Sequence, residues 1–287
     1  MTRATRSPLL GAHQSIAGGF HRAVERASVD GCDCLQVFTK SPRAWKEPPP
    51  PDDEQVRLFA QARRQHGIGP VLAHASYLVN PCAADPAVRR KGWDALLADA
   101  TRCDRLGIEL LVLHPGSPGD RGQDNGIELT ASCISRVLER TERVVVLVEN
   151  TAGQGAGLGH RFEQLARIIE GTEGGDRVGV CFDTCHGFAA GYDLRTARSA
   201  KRTFDELDSI VGSGGLKALH LNDAKSSLGS RIDRHAMIGQ GEIGSDLFRW
   251  LVRQRRFAGL PAVLETPISK GQTYRGEIEL LRSLRRR

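Results

Sequence analysis

Six short apolar runs in this chain each end in a residue type that binds metals well. Val71-Leu72-Ala73 leads into His74, Leu110 to Leu113 into His114, and Val144 to Val148 into Glu149. Val178 to Phe182 leads into Asp183, Leu216 to Leu219 into His220, and Ala262-Val263-Leu264 into Glu265. Short apolar runs between helical stretches read as buried parallel strands. A polar ligand at the tip of strand after strand is the pattern of a (β/α)8 TIM barrel, whose chemistry sits at the C-terminal rim of its strands. One histidine at a strand end is ordinary. Three imidazoles and three carboxylates aimed at one mouth predict a cluster of divalent ions.

Strand periodicity gives an independent check. Residues two before each ligand point the same way, into the barrel, and should be apolar. They are Leu72, Val112, Leu147, Cys181, Ala218 and Val263, none of them charged. Cys181 could serve as a thiolate ligand, but Cys181 and Cys185 form only a C-x3-C pair, and core packing is preferred.

The rest of the chain reads as eight β/α units without a linker, one barrel over residues 1–287. Its 287 residues fit one such barrel, typically ~250 residues. Strand one is Pro8 to His13 and strand two Cys34 to Phe38. Helices are expected over Ile16–Ser28, Asp53–His66, Pro86–Leu106, Ile127–Glu139, Arg161–Glu170, Arg195–Ile210, Asp246–Arg255 and Gly276–Arg286. Asp52 reads as an N-cap, and Gly67 and Gly107 as stops.

Composition narrows the class. Hydrophobic content of 40% and charged content of 26% are those of an ordinary soluble chain. No run reaches the ~18 apolar residues of a membrane span, and Met1 to Pro8 has no apolar stretch behind it to make a signal peptide. Seven cysteines without C-x-x-C spacing point to reduced thiols in a cytoplasmic protein. The formal charge of +6 by itself reads as solubility charge. Three bound divalent ions would carry it to about +12, which favours a polyanionic partner.

Further ligand candidates lie in the loops. The Asp183-Thr184-Cys185-His186 turn offers Asp183 and His186 to neighbouring ions, and Asp233 and His235 share one side of an extended segment. His186, Asp233 and His235 would form a third site. The set comprises five histidines and four carboxylates, with no cysteine. Such ligands suit zinc, with manganese or iron as substitutes.

Gly11-Ala12-His13, Phe38-Thr39-Lys40, His74-Ala75-Ser76-Tyr77-Leu78-Val79-Asn80, His114-Pro115-Gly116-Ser117 and Glu149 to Gly155 occur in that order. Asp183-Thr184-Cys185-His186, Gly191-Tyr192-Asp193-Leu194, His220 to Lys225, Asp233-Arg234-His235 and Leu264-Glu265-Thr266 follow. With this ordered set the chain resembles the endonuclease IV family of apurinic/apyrimidinic-site DNA repair enzymes over essentially its whole length. Phe182, where the family usually has an aliphatic residue, and Pro81-Cys82, where small residues are usual, depart from the pattern.

The resemblance implies a monomeric, zinc-dependent hydrolase with three ions. His74, His114 and Glu149 would hold the first; Glu149 would bridge to a second held also by Asp183, His220 and Glu265. His186, Asp233 and His235 would hold the third. Glu149, Asp183 and Glu265 are the implied catalytic carboxylates. The implied reaction cuts the phosphodiester 5′ to an abasic sugar in double-stranded DNA, leaving a 3′-hydroxyl and a 5′-deoxyribose phosphate. Cleaning of blocked 3′ ends is the implied second activity. Arg43, Tyr77 and Leu78 correspond to positions that enter the base stack beside the lesion. From the residues alone, Tyr77 and Leu78 could instead staple the next helix, and Arg43 could be a phosphate contact. His13 reads as a rim residue behind the ligands, and Trp45 as packing. A divalent-metal sugar isomerase or epimerase of a related barrel is the alternative. It leaves the third site and the basic surface without a purpose.

Overall fold

The computed structural model describes residues 7–269 and 271–286. The first units are β1 (Leu9–His13), α1 (Phe20–Asp30), β2 (Cys34–Phe38), α2 (Asp53–His66), β3 (Val71–His74) and α3 (Pro86–Leu106). Next come β4 (Leu110–Leu113), α4 (Gln123–Glu139), β5 (Val145–Glu149), α5 (Phe162–Glu170), β6 (Val178–Asp183), α6 (Thr184–Ala190) and α7 (Ala197–Val211). The last are β7 (Leu216–His220), β8 (Asp223–Ala224), β9 (His235–Ala236), α8 (Ser245–Leu251), β10 (Pro261–Leu264) and α9 (Arg275–Arg285). Eight parallel strands close in the order β1-β10-β7-β6-β5-β4-β3-β2, a TIM barrel, and β8 and β9 form a separate antiparallel pair. Among the described residues no helix is long and apolar enough to cross a membrane.

Local chemistry explains most boundaries. Asp52 caps α2 in a capping box with Gln55, and Gly67 ends it in the left-handed region. Asp85 caps α3 ahead of Pro86, and Gly107 stops it. The first helix begins at Phe20 rather than Ile16, because Gly18 and Gly19 take φ of 86° and 115° and break the turn there. The α8 segment ends at Leu251, short of the expected Arg255, and a 3-10 turn follows over Arg255–Phe257.

The interior of the barrel bears out the two-residue rule. Leu72, Val112, Leu147, Cys181, Ala218 and Val263 pack with Cys34 in one buried cluster beneath the mouth. Cys34 stands two residues below Gln36. Gly11 stands two below His13, and a Cβ there would lie 2.4 Å from the Cys34 carbonyl oxygen. Every barrel strand therefore sets one polar side chain on one small or apolar layer. Cys181 belongs to that layer, and burial pushes its thiol up to about 12, so it is no thiolate. All seven cysteines are free and buried.

Both departures from the family pattern have packing partners. A Cβ on Gly187 would lie 2.6 Å from the Phe182 ring, so the larger Phe182 occupies space that a bare Gly187 leaves open. Cys82 is buried with its thiol 3.4 Å from the Pro115 carbonyl, and the Pro81 carbonyl accepts from the Trp93 indole at 2.7 Å.

Candidate metal centre

The barrel delivers the predicted ligands to one mouth. Glu149, fully buried, places Oε2 at 3.1 Å from His74 Nε2 and 2.9 Å from His114 Nε2. Its other oxygen lies 2.7 Å from His220 Nδ1 and 3.4 Å from His186 Nδ1. His220 Nδ1 is also 3.2 Å from Glu265 Oε2. Asp183 Oδ2 sits between two groups, 3.8 Å from both His220 Nδ1 and His235 Nε2. Asp233 reaches His186 Nε2 and His235 Nε2, each at 3.2 Å. His74, His114 and Glu149 thus cluster, as do Glu149, Asp183, His220 and Glu265. Asp183, His186 and His235 form a further cluster beside Asp233.

The expected turn after β6 is instead the first turn of α6. Asp183 caps it, accepting from the His186 N–H at 2.9 Å, and that turn swings His186 back over the mouth. Cys185 lies within reach of Asp233 and His235, but burial pushes its thiol up to about 12. It is a poor ligand in that state.

Whether divalent ions fit can be tested on the imidazoles. His74 Nδ1 lies 2.8 Å from the Ala75 carbonyl, and His186 Nδ1 lies 2.9 Å from the Asn150 carbonyl. His220 Nε2 lies 2.8 Å from Gln36 Oε1, and His235 Nδ1 lies 3.3 Å from the Glu265 carbonyl. In each ring one nitrogen is committed to an oxygen and the other faces the mouth. Metal-ligating histidines are held this way. The other nitrogen of His235 is buried and, though 3.2 Å from Asp233 Oδ1, is not aligned for a hydrogen bond with it. The donor set fits divalent cations.

Electrostatics agree. Burial opposes a charge on Glu149, but His220 and His114 more than offset it and hold its carboxyl well below the usual range. Burial likewise opposes charge on His186, yet Asp183 and Asp233 raise it well above an ordinary histidine. His235, disfavoured by burial but facing Asp183 and Asp233, is raised to about 9. Cations are wanted here; without metal, protons fill the role.

Three carboxamides, none of them a metal ligand by residue type, complete the site. Gln36 Nε2 donates to Glu265 Oε1 at 2.5 Å while its oxygen faces His220, so one side chain ties two candidate ligands. Asn222 Nδ2 donates to Asp183 Oδ2 at 2.6 Å, and its Oδ1 accepts from the Glu265 N–H. Asn150 exchanges two hydrogen bonds with the Asp183 backbone. The two-residue rule applied to β2 identifies Gln36 as inward-facing. His13 lies 3.1 Å from Gln36 Nε2 and 3.8 Å from Glu265 Oε1, behind the clusters.

The three DNA candidates lie on one side of the rim. Ser76 Oγ donates to the Pro42 carbonyl at 2.8 Å, which ties the turn bearing Arg43 to the turn bearing Tyr77 and Leu78. Tyr77 is 59% exposed, with its ring edge-on to Phe38 at 5.3 Å. It stands up from the mouth. Trp45, expected to pack, is 41% exposed in the same loop as Arg43.

Comparison with known proteins places this architecture. Residues 24–284 match the family described as xylose isomerase-like TIM barrel. The probable endonuclease 4 of Halorhodospira halophila is 46% identical over 279 residues, 96% of this chain and 93% of the relative. That of Chloroflexus aggregans is 45% identical over 282 residues, 96% of this chain and 98% of the relative. The crystal structure of endonuclease IV from Thermus thermophilus superposes with a TM-score of 0.85 at 37% identity, covering 96% and 98% of the two chains. A D-tagatose 3-epimerase-like protein shares the fold at 18% identity, with a TM-score of 0.71 over 96% of each chain. With identities of this order across nearly its full length, the chain belongs to the endonuclease IV family, within the xylose isomerase-like TIM barrels.

Proposed function

We propose that this protein is a DNA repair endonuclease that hydrolyses the phosphodiester 5′ to an abasic site in duplex DNA, with three zinc ions in its mouth. Removal of blocking groups from 3′ ends is its second activity, and it acts as a cytoplasmic monomer. The observation that carries this reading is Glu149, a buried carboxylate that faces four histidines and joins two of three ligand clusters. His74, His114 and Glu149 would hold one ion, and Glu149, Asp183, His220 and Glu265 a second. His186, Asp233 and His235 would hold the third. Bound there, divalent ions supply Lewis acidity toward the phosphodiester and toward the attacking water. The chain's own part is to fix the ligands. Gln36 holds the His220 ring and Glu265 together, and Asn150 and Asn222 hold Asp183.

A cavity of about 340 Å³ opens beside His74 and His114, between the loops after β3, β4 and β5. Its size suits a base-free sugar and its phosphates. Tyr77 lines the cavity, and with Leu78 beside it and Arg43 in the loop tied to theirs it would act as a wedge, which offsets the cost of unstacking by stabilising a bent duplex. The exposure of Tyr77 argues against the helix staple.

Incision of a duplex oligonucleotide with one abasic site tests the reading. Arg43→Ala and Tyr77→Ala are expected to slow it about 10- to 100-fold, since unstacking costs a few kcal/mol per step. Bound metal and turnover of a small phosphodiester should stay unchanged. Equal loss on both substrates would count against the wedge; ketose epimerisation without incision would favour the sugar-enzyme alternative. Gln36→Ala is expected to weaken ion binding at the His220–Glu265 cluster by about 10- to 100-fold. Unchanged affinity in a zinc competition titration would make Gln36 a mere packing residue.

A further inference from the structure

Of the candidate ion clusters, only the third takes ligands from beyond the barrel strands and the residue that directly follows each of them. His186 sits on α6, and Asp233 and His235 sit on the excursion between β7 and α8. Something must hold that excursion still. The β8–β9 pair contributes little, being two residues long on each side, with Asp223 opposite Ala236 and Ala224 opposite His235. Short isolated strand pairs are marginal by themselves.

Asp223 supplies what the pair lacks. Its carboxylate is fully buried, and its hydrogen-bond partners are backbone amides, not a cation. Oδ1 accepts from Ala224 at 2.8 Å and Ile243 at 3.0 Å, and Oδ2 from Gly239 and Gly241, each at 3.0 Å. The Gly244 N–H adds longer contacts of 3.3 and 3.4 Å. Buried N–H groups need acceptors, and an ionised acceptor is about twice as strong as a neutral one. The loop after β9 is thus wound around one carboxylate. Gly239 and Gly244 take φ of 76° and 78° to make the turns. A Cβ on Gly241 would lie 2.5 Å from Asp223 Oδ1 and 2.3 Å from the Ala224 carbonyl oxygen.

We infer that Asp223 is the positioning residue of the third cluster: by gathering the amides of residues 239–244 it fixes the segment, ending in β9, that presents Asp233 and His235. This rests on the three-ion reading above. The clusters held by barrel strands do not depend on it, because their ligands stand on the packed layer beneath the mouth.

The test uses Asp223→Asn, which weakens the acceptors at nearly constant shape, and Gly241→Ala, which displaces the same loop while Asp223 stays. Zinc chloride is titrated against the full-length protein with a competing chromophoric chelator, and amide hydrogen exchange is followed over residues 237–244. In both variants the affinity for one zinc should fall about 10- to 100-fold, with the other two within threefold of the parent. Exchange over the loop should rise at least about tenfold, as expected when an opening equilibrium shifts by that factor. A general structural role would lower all three affinities together and depress the melting temperature, and that result overturns the inference. So does a third-zinc affinity within threefold of the parent in both variants. If the parent itself holds fewer than three zinc ions, the three-ion reading fails separately. Loop exchange in the metal-free protein then decides: unchanged protection in both variants overturns the role of Asp223.

Discussion

Glu149→Gln should reduce incision by on the order of 10³-fold or more, because ligand geometry and several kcal/mol of charge stabilisation are lost together. Glutamine keeps the size of the side chain, so the barrel can still fold around it. The chemistry at its tip inverts. Glu149 now offers an oxygen to His74 and His114 on one side and to His220 on the other, with His186 Nδ1 3.4 Å away. An amide replaces one of those oxygens with an N–H2 donor that cannot bind a cation. It also removes the single negative charge common to two clusters. Zinc per chain, by elemental analysis, should fall by more than one ion. Single-turnover incision measured on the same preparation separates chemistry from product release. Turnover within tenfold of the parent, with full metal content, would show that Glu149 is not the bridge.

The strand ends that carry this prediction were legible because two signals coincide there. An apolar run marks the strand, and a ligand residue marks its tip; His74, His114, Glu149, Asp183, His220 and Glu265 all satisfy both. Gln36 satisfies the periodicity but is no metal ligand by type, so a search by chemistry passes over it. Its place two residues above Cys34 was there to be read. The α6 helix was hidden for another reason. Asp183 closes an apolar run as a strand residue and caps the next helix in the same position, leaving no loop between the two. Gly187 inside that helix also lowers its local propensity. The β8–β9 pair is too short for any periodicity to develop, so Asp233 and His235 could be grouped by spacing while their support could not. Asp223 drew no attention for the same cause: its partners are backbone amides, and amides have no sequence signature.

Stripping the ions with a strong chelator should abolish incision, and the effect on stability should depend on pH in a defined direction. In the metal-free chain, protons on the imidazoles stand in for the cations. His186 and His220 lie well above an ordinary histidine, and His235 is raised to about 9 from 6.5. A histidine whose folded pKa is raised contributes stability fully present below about 6.5 and lost as pH climbs through its folded value. The stripped protein should therefore lose stability steadily from pH 6.5 towards 9. The loaded protein should not, because its imidazoles are already deprotonated at the metal-facing nitrogen and zinc competes less with protons as pH rises. The melting-temperature gap between loaded and stripped protein is expected to widen across that range, and zinc reloading near pH 7 should release protons. Calorimetry of both forms at several pH values, with zinc held at a fixed free concentration, measures the gap. A gap that stays constant or narrows towards pH 9 would mean that protons do not occupy the ion positions, and that the histidines are neutral before metal arrives.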